Sequence, residues 1–123
     1  MGYVVCAPGG RVGEVGKADL LEADQTERAS AYAMTAESYG FELLYLEAGS
    51  GATTPVSEEL IRAARGSCNL TLVVGGGIRD GEAARKAVQA GADWIVTGNL
   101  TESFDDADEL QRVLTEFITT MNS

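Results

Sequence analysis

Histidine is absent from the 123-residue chain. Its absence excludes His-based zinc sites, Ser-His-Asp triads and imidazole proton shuttles, and leaves acid–base chemistry to carboxylates, Tyr, Lys or Cys. Cysteine is scarce: Cys6 and Cys68 are the only two, too few and too far apart for a disulfide scaffold or a C-x-x-C site. Reduced thiols in a cytoplasmic protein are the expectation. No apolar run approaches the roughly 18 residues that mark a membrane span. No basic-then-apolar leader opens the chain, so a soluble, unexported protein is expected. Basic side chains are also few, 9 against 19 acidic, for a net charge of −10. That balance argues against a nucleic-acid or anionic-membrane partner, both of which require a basic footprint.

What is present suffices for a core. With 45% hydrophobic residues the chain has enough apolar surface to offset its entropy, and its length suits one domain spanning 1–123. The charged residues include seven arginines but two lysines, a bias that, beside so many acids, suggests a surface adapted to high salt.

Four short runs have strand character: Tyr3-Val4-Val5-Cys6, Leu43-Leu44-Tyr45-Leu46, Leu70-Thr71-Leu72-Val73-Val74 and Trp94-Ile95-Val96-Thr97. Each precedes a helical pattern. A polar, glycine-rich loop is expected from Pro8 to Gly16, then a helix from about Ala18 to Tyr39, with Ala29, Ala33, Ala36, Tyr32 and Tyr39 at helical spacing and Gly40 ending it. Ser57 caps a second helix through Ala64 that Gly66 can terminate, and Asp80 caps a third that Gly91 closes. In the last helix Leu110, Val113, Leu114, Phe117, Ile118 and Met121 form one stripe behind an acid-rich start. Four consecutive βα units require a parallel sheet with right-handed crossovers.

Glycines cluster after the strands, at Gly49-Ser50-Gly51, Gly75-Gly76-Gly77 and Gly98-Asn99. Loops beyond the C-terminal ends of parallel strands carry the sites of such folds, and glycine there lets backbone N–H groups approach an anion such as phosphate. The spacing does not fit a dinucleotide fingerprint, because the sixth position from Gly75 is Asp80, nor a P-loop, because Ala18 follows Gly16-Lys17. Glycine turns after the last two strands of a (β/α)8 barrel do form a phosphate site. The expected fold is therefore α/β, the C-terminal half of such a barrel, strands five to eight. In the second strand, alternation turns Leu44, Leu46 and Ala48 toward the helices. Tyr45 and Glu47 then face the barrel interior, where a carboxylate can accept a proton and a tyrosine can donate a hydrogen bond or present its ring to a developing cation.

Tyr45-Leu46-Glu47-Ala48-Gly49-Ser50-Gly51-Ala52, Val74-Gly75-Gly76-Gly77-Ile78-Arg79, Gly91-Ala92-Asp93 and Val96-Thr97-Gly98-Asn99 resemble the geranylgeranylglyceryl phosphate synthase family of prenyltransferases. The resemblance runs from Tyr3 to about Glu102 and is most specific in the first and last of these blocks. It implies transfer of a geranylgeranyl group from its diphosphate to the sn-3 hydroxyl of sn-glycerol 1-phosphate, in archaeal ether-lipid synthesis. It also implies that the block from Tyr45 through Leu46, Glu47, Ala48, Gly49, Ser50 and Gly51, with Gly75, Gly76, Gly77, Gly98 and Asn99, forms the substrate site. Within it, Ser50, Gly51, the three consecutive glycines, Gly98 and Asn99 hold the glycerol phosphate. Tyr45 and Glu47 position the hydroxyls, Glu47 as base. Magnesium is the implied cofactor, with ligands expected in the N-terminal half that has no counterpart here. A homo-oligomer or a separate N-terminal half-barrel is the expected partner. Competing expectations are a non-catalytic phosphate-binding half-barrel, a heptaprenyl-transferring relative, and a sugar-phosphate isomerase, the last disfavoured by the lack of histidine.

Overall fold

The structure, a computed structural model, describes residues 1–98 and 106–123. Four strands, β1 (Gly2–Val5), β2 (Leu43–Glu47), β3 (Thr71–Gly75) and β4 (Trp94–Val96), form one parallel sheet in the order β1-β2-β3-β4. Between them lie helices α1 (Gly10–Val15), α2 (Thr26–Ser38), α3 (Glu58–Ser67) and α4 (Gly81–Ala90), and α5 (Ala107–Met121) closes the chain. Strand order follows chain order, the arrangement of consecutive units in a barrel wall.

The two faces of β2 separate as alternation requires. Leu44, Leu46 and Ala48 are fully buried and cluster with Ala29, Ala33 and Ala36 of α2 and Leu60, Ile61 and Ala64 of α3. Leu46→Ala would cost about 2–5 kcal/mol in such a site. On the opposite face Tyr3, Tyr45, Val73 and Trp94 align across the four strands, and Val5, Glu47, Gly75 and Val96 form the next row. This inner face is open: Trp94 is 59% and Tyr3 45% exposed.

The helix caps follow the sequence. Ser57 accepts from Leu60 N–H and Asp80 from Ala83 N–H, each satisfying a donor the first turn leaves free. Gly40, at φ +82°, ends α2 as expected. Gly66, expected to terminate α3, lies inside it, because the helix continues to Ser67. In α5 only Phe117 of the apolar stripe is buried.

Residues 8–39 depart most from the sequence expectation. The expected Pro8–Gly16 loop contains α1, and α2 begins at Thr26, not near Ala18. The cause is tertiary. Leu21 is drawn fully into the core, where its N–H donates to Val5 O and its carbonyl accepts from Ala7 N–H, so the chain beside it is extended. Tyr32 and Tyr39 share helical spacing with the buried alanines but lie outside the core, 36% and 76% exposed.

Candidate functional site

A small, solvent-open cleft lies at the C-terminal ends of β2, β3 and β4. Tyr45 and Glu47 form its floor and the loops after the three strands form its rim. Glu47 is the one charged residue buried among the described residues, 6% exposed. Burial, the charge of Glu47 and a hydrogen bond with that carboxylate together push the Tyr45 phenol up to about 12, so it remains a donor across the physiological range. The Tyr3 ring sits 5.2 Å from that of Tyr45, and its phenol is also raised, first by burial and then by Glu47. On the helix side Cys6 has a thiol pushed up to about 12, chiefly by burial. That thiol is no nucleophile at neutral pH.

The glycines have a second role that spacing alone does not reveal. A Cβ on Gly76 would fall 2.6 Å from Gly49 N, and one on Gly49 would fall 2.7 Å from Gly10 N. Three successive loops thus stack backbone on backbone, and Gly49 (φ +99°) and Gly76 (φ +89°) also adopt a left-handed conformation that other residues resist. Gly75 makes room for a side chain instead: its missing Cβ would lie 2.5 Å from the Tyr45 hydroxyl and 3.0 Å from Oε2 of Glu47.

Two side chains tie the loops together. Arg79 Nη2 donates to Gly51 O at 3.1 Å and Ala52 O at 2.8 Å, joining the loop after β3 to the loop after β2. Thr97 Oγ1 donates to Ile78 O at 2.9 Å, joining the loop after β4 to that after β3. Among the described residues the N–H groups of Ser50, Gly51, Gly76 and Gly77 donate no backbone hydrogen bond. The rim therefore offers free donors, the chemistry an anion requires.

Of the residues singled out from sequence, Tyr45, Glu47, Ser50, Gly51, Gly76, Gly77 and Gly98 line the cleft. Gly75 lies beneath it, against Tyr45 and Glu47. Leu46 and Ala48 do not reach it, because their side chains lie in the helix-side core, and Gly49 is packed between neighbouring loops. Asn99 lies outside the described residues. Arg79 and Thr97 had no assigned role; the signal for Arg79 was that it is the basic residue directly following the three glycines and Ile78. Among the described residues no three His, Cys, Asp or Glu side chains converge to hold a metal ion. Glu47, engaged with Tyr45, is the sole carboxylate among the described residues lining the cleft, so this described donor set does not fit magnesium. No described helix is long and apolar enough to cross a membrane.

Parallel βα units with a glycine-built cleft at their C-terminal strand ends define an α/β protein with the architecture of the C-terminal half of a (β/α)8 barrel. The chain belongs to the PcrB family, whose model matches residues 1–120. Geranylgeranylglyceryl phosphate synthase of Methanothrix thermoacetophila is 53% identical over 107 residues, covering 86% of this chain and 42% of that protein. The enzyme of the same name from Thermoplasma volcanium is 46% identical over 112 residues, covering 91% and 44%. The solved wild-type structure from T. volcanium superposes with TM-score 0.89 at 44% identity, over 97% of this chain and 47% of that one. The T. acidophilum (S)-3-O-geranylgeranylglyceryl phosphate synthase, solved in complex with sn-glycerol-1-phosphate, gives TM-score 0.88 at 40% identity, with the same coverage of 97% and 47%. The chain spans less than half the length of these relatives.

Proposed function

We propose that this chain is the acceptor-binding half of a geranylgeranylglyceryl phosphate synthase, holding sn-glycerol 1-phosphate for transfer of a geranylgeranyl group from its diphosphate. The observation that carries this reading is the cleft itself: free rim amides above a half-buried Tyr45 bonded to the buried Glu47, in a chain similar to a synthase solved with sn-glycerol-1-phosphate. The rim binds the phosphate, with Ser50, Gly51, Gly76, Gly77 and Gly98 contributing backbone. The Tyr45 hydroxyl and Glu47 orient the glycerol hydroxyls. As the sn-3 oxygen attacks the allylic carbon, its proton passes to Glu47, the new C–O bond forms, and diphosphate leaves with the electron pair of the broken bond.

Magnesium neutralises a diphosphate leaving group when bound. Its ligands, in this reading, belong to the part of the relatives that the chain does not span. The open inner face and the two sheet edges, each paired on one side only, support association with an N-terminal half-barrel. The acid-rich, arginine-biased composition supports work in a salt-rich cytoplasm.

The test is incubation of the purified chain in high salt with both substrates and magnesium, alone and with an N-terminal half. Ether product only in the combined reaction is the expected result, and no product in either contradicts the enzyme assignment. A chain that binds a phosphorylated ligand yet never supports turnover is instead a non-catalytic half-barrel.

A further inference from the structure

We infer that Arg79 is a ligand-binding residue of the cleft, its guanidinium recognising the dianionic phosphate of the acceptor while Nη2 locks the loop after β2 in place. This rests on the acceptor reading of the cleft. Among the described residues Arg79 is the only cationic side chain lining it. The other charge there, Glu47, is negative, and the chain as a whole carries −10. A local cation offsets the repulsion that these negative charges exert on a phosphate dianion.

Among the described residues Arg79 shares with Arg11 alone of the seven arginines the lack of an ion pair, and Arg11 does not line the cleft. Arg28, Arg62, Arg65, Arg85 and Arg112 each pair with a carboxylate. Arg79 forms no ion pair among the described residues, although acids outnumber bases two to one in the chain. It is held by carbonyls instead, which orient a guanidinium without neutralising it. Both bonds use Nη2, so the N–H groups of Nη1 and Nε stay available to donate singly to phosphate oxygens. With the carbonyls of Gly51, Ala52 and Ile78 occupied by Arg79 and Thr97, the loops face the cleft with donors to spare. Thr97 is a positioning residue: its hydroxyl fixes a loop but carries no charge.

The two roles separate experimentally. Calorimetric titration of sn-glycerol 1-phosphate into the wild-type chain, Arg79→Met, Arg79→Lys and Thr97→Val, at low and high salt, reads affinity and its salt dependence, with circular dichroism confirming folding. Arg79→Met is expected to weaken binding about 10- to 100-fold and to flatten its salt dependence, since a charge-assisted hydrogen bond and a long-range attraction are both lost. Arg79→Lys keeps the salt dependence and recovers part of the affinity. Thr97→Val weakens binding with the salt dependence intact. An Arg79→Met chain that binds as tightly as wild type, or that binds weakly with wild-type salt dependence, overturns the inference. If wild type takes up no sn-glycerol 1-phosphate, the acceptor reading fails, and inorganic phosphate then tests Arg79 separately. Phosphate binding lost in Arg79→Met supports the inference; binding unchanged, or absent from wild type, overturns it.

Discussion

The Tyr45 hydroxyl occupies the space that a side chain at Gly75 would fill, 2.5 Å from where that Cβ would stand. Gly75 →Ala should therefore push the phenol off Glu47, at a cost of about 1–3 kcal/mol from overpacking. The position has no left-handed strain, so the cost is steric. Adding Tyr45→Phe should recover much of the stability without restoring acceptor binding. Urea unfolding of the two single variants and the double variant measures the coupling.

Glu47→Gln keeps the shape of the buried floor but removes the proton acceptor. In the reconstituted reaction turnover should fall by about 100-fold or more, the scale of general-base catalysis, while affinity for sn-glycerol 1-phosphate changes little. Steady-state kinetics beside direct titration separates the two effects. Intact turnover rules out Glu47 as the base.

The strands and the division of β2 into two faces were legible in the sequence because both follow from local periodicity. Leu44, Leu46 and Ala48 went to the helices, and Tyr45 and Glu47 to the inner face. The start of α2 was not legible, because Leu21 is held by a pairing with Cys6 that no local pattern encodes. The glycine clusters marked the right loops, but the reason for Gly49 and Gly76 is a loop stack visible only in three dimensions. Arg79 and Thr97 were missed for the same reason: their roles depend on carbonyls from other loops.

The loop stack predicts a contrast between glycines. Gly76→Ala adds left-handed strain and a contact on Gly49 N, and should cost about 2–5 kcal/mol. Gly66, inside α3 with nothing within 4 Å of its virtual Cβ, should stabilise the protein by about 0.4–1 kcal/mol when changed to Ala. Thermal unfolding of both variants measures the difference.

Alkaline pH offers a further check. The Cys6 thiol is raised from 9.0 and the Tyr45 phenol from 10.0, each to about 12, so the folded state holds these protons more tightly than the unfolded chain. Their contribution to stability is complete below pH 9 and is lost as pH rises toward 12. Urea midpoints across this range should fall less steeply for Cys6→Ala and for Tyr45→Phe than for wild type. The phenol absorbance of Tyr45→Phe should lack a component that titrates near 12.

The most direct measurement is an amide NMR titration of the isotopically labelled chain with sn-glycerol 1-phosphate, glycerol serving as the control. The account predicts saturable shifts at Ser50, Gly51, Gly76 and Gly77 with the phosphorylated ligand and none with glycerol at the same concentration. Shifts confined to other parts of the fold, or equal responses to both ligands, would contradict it.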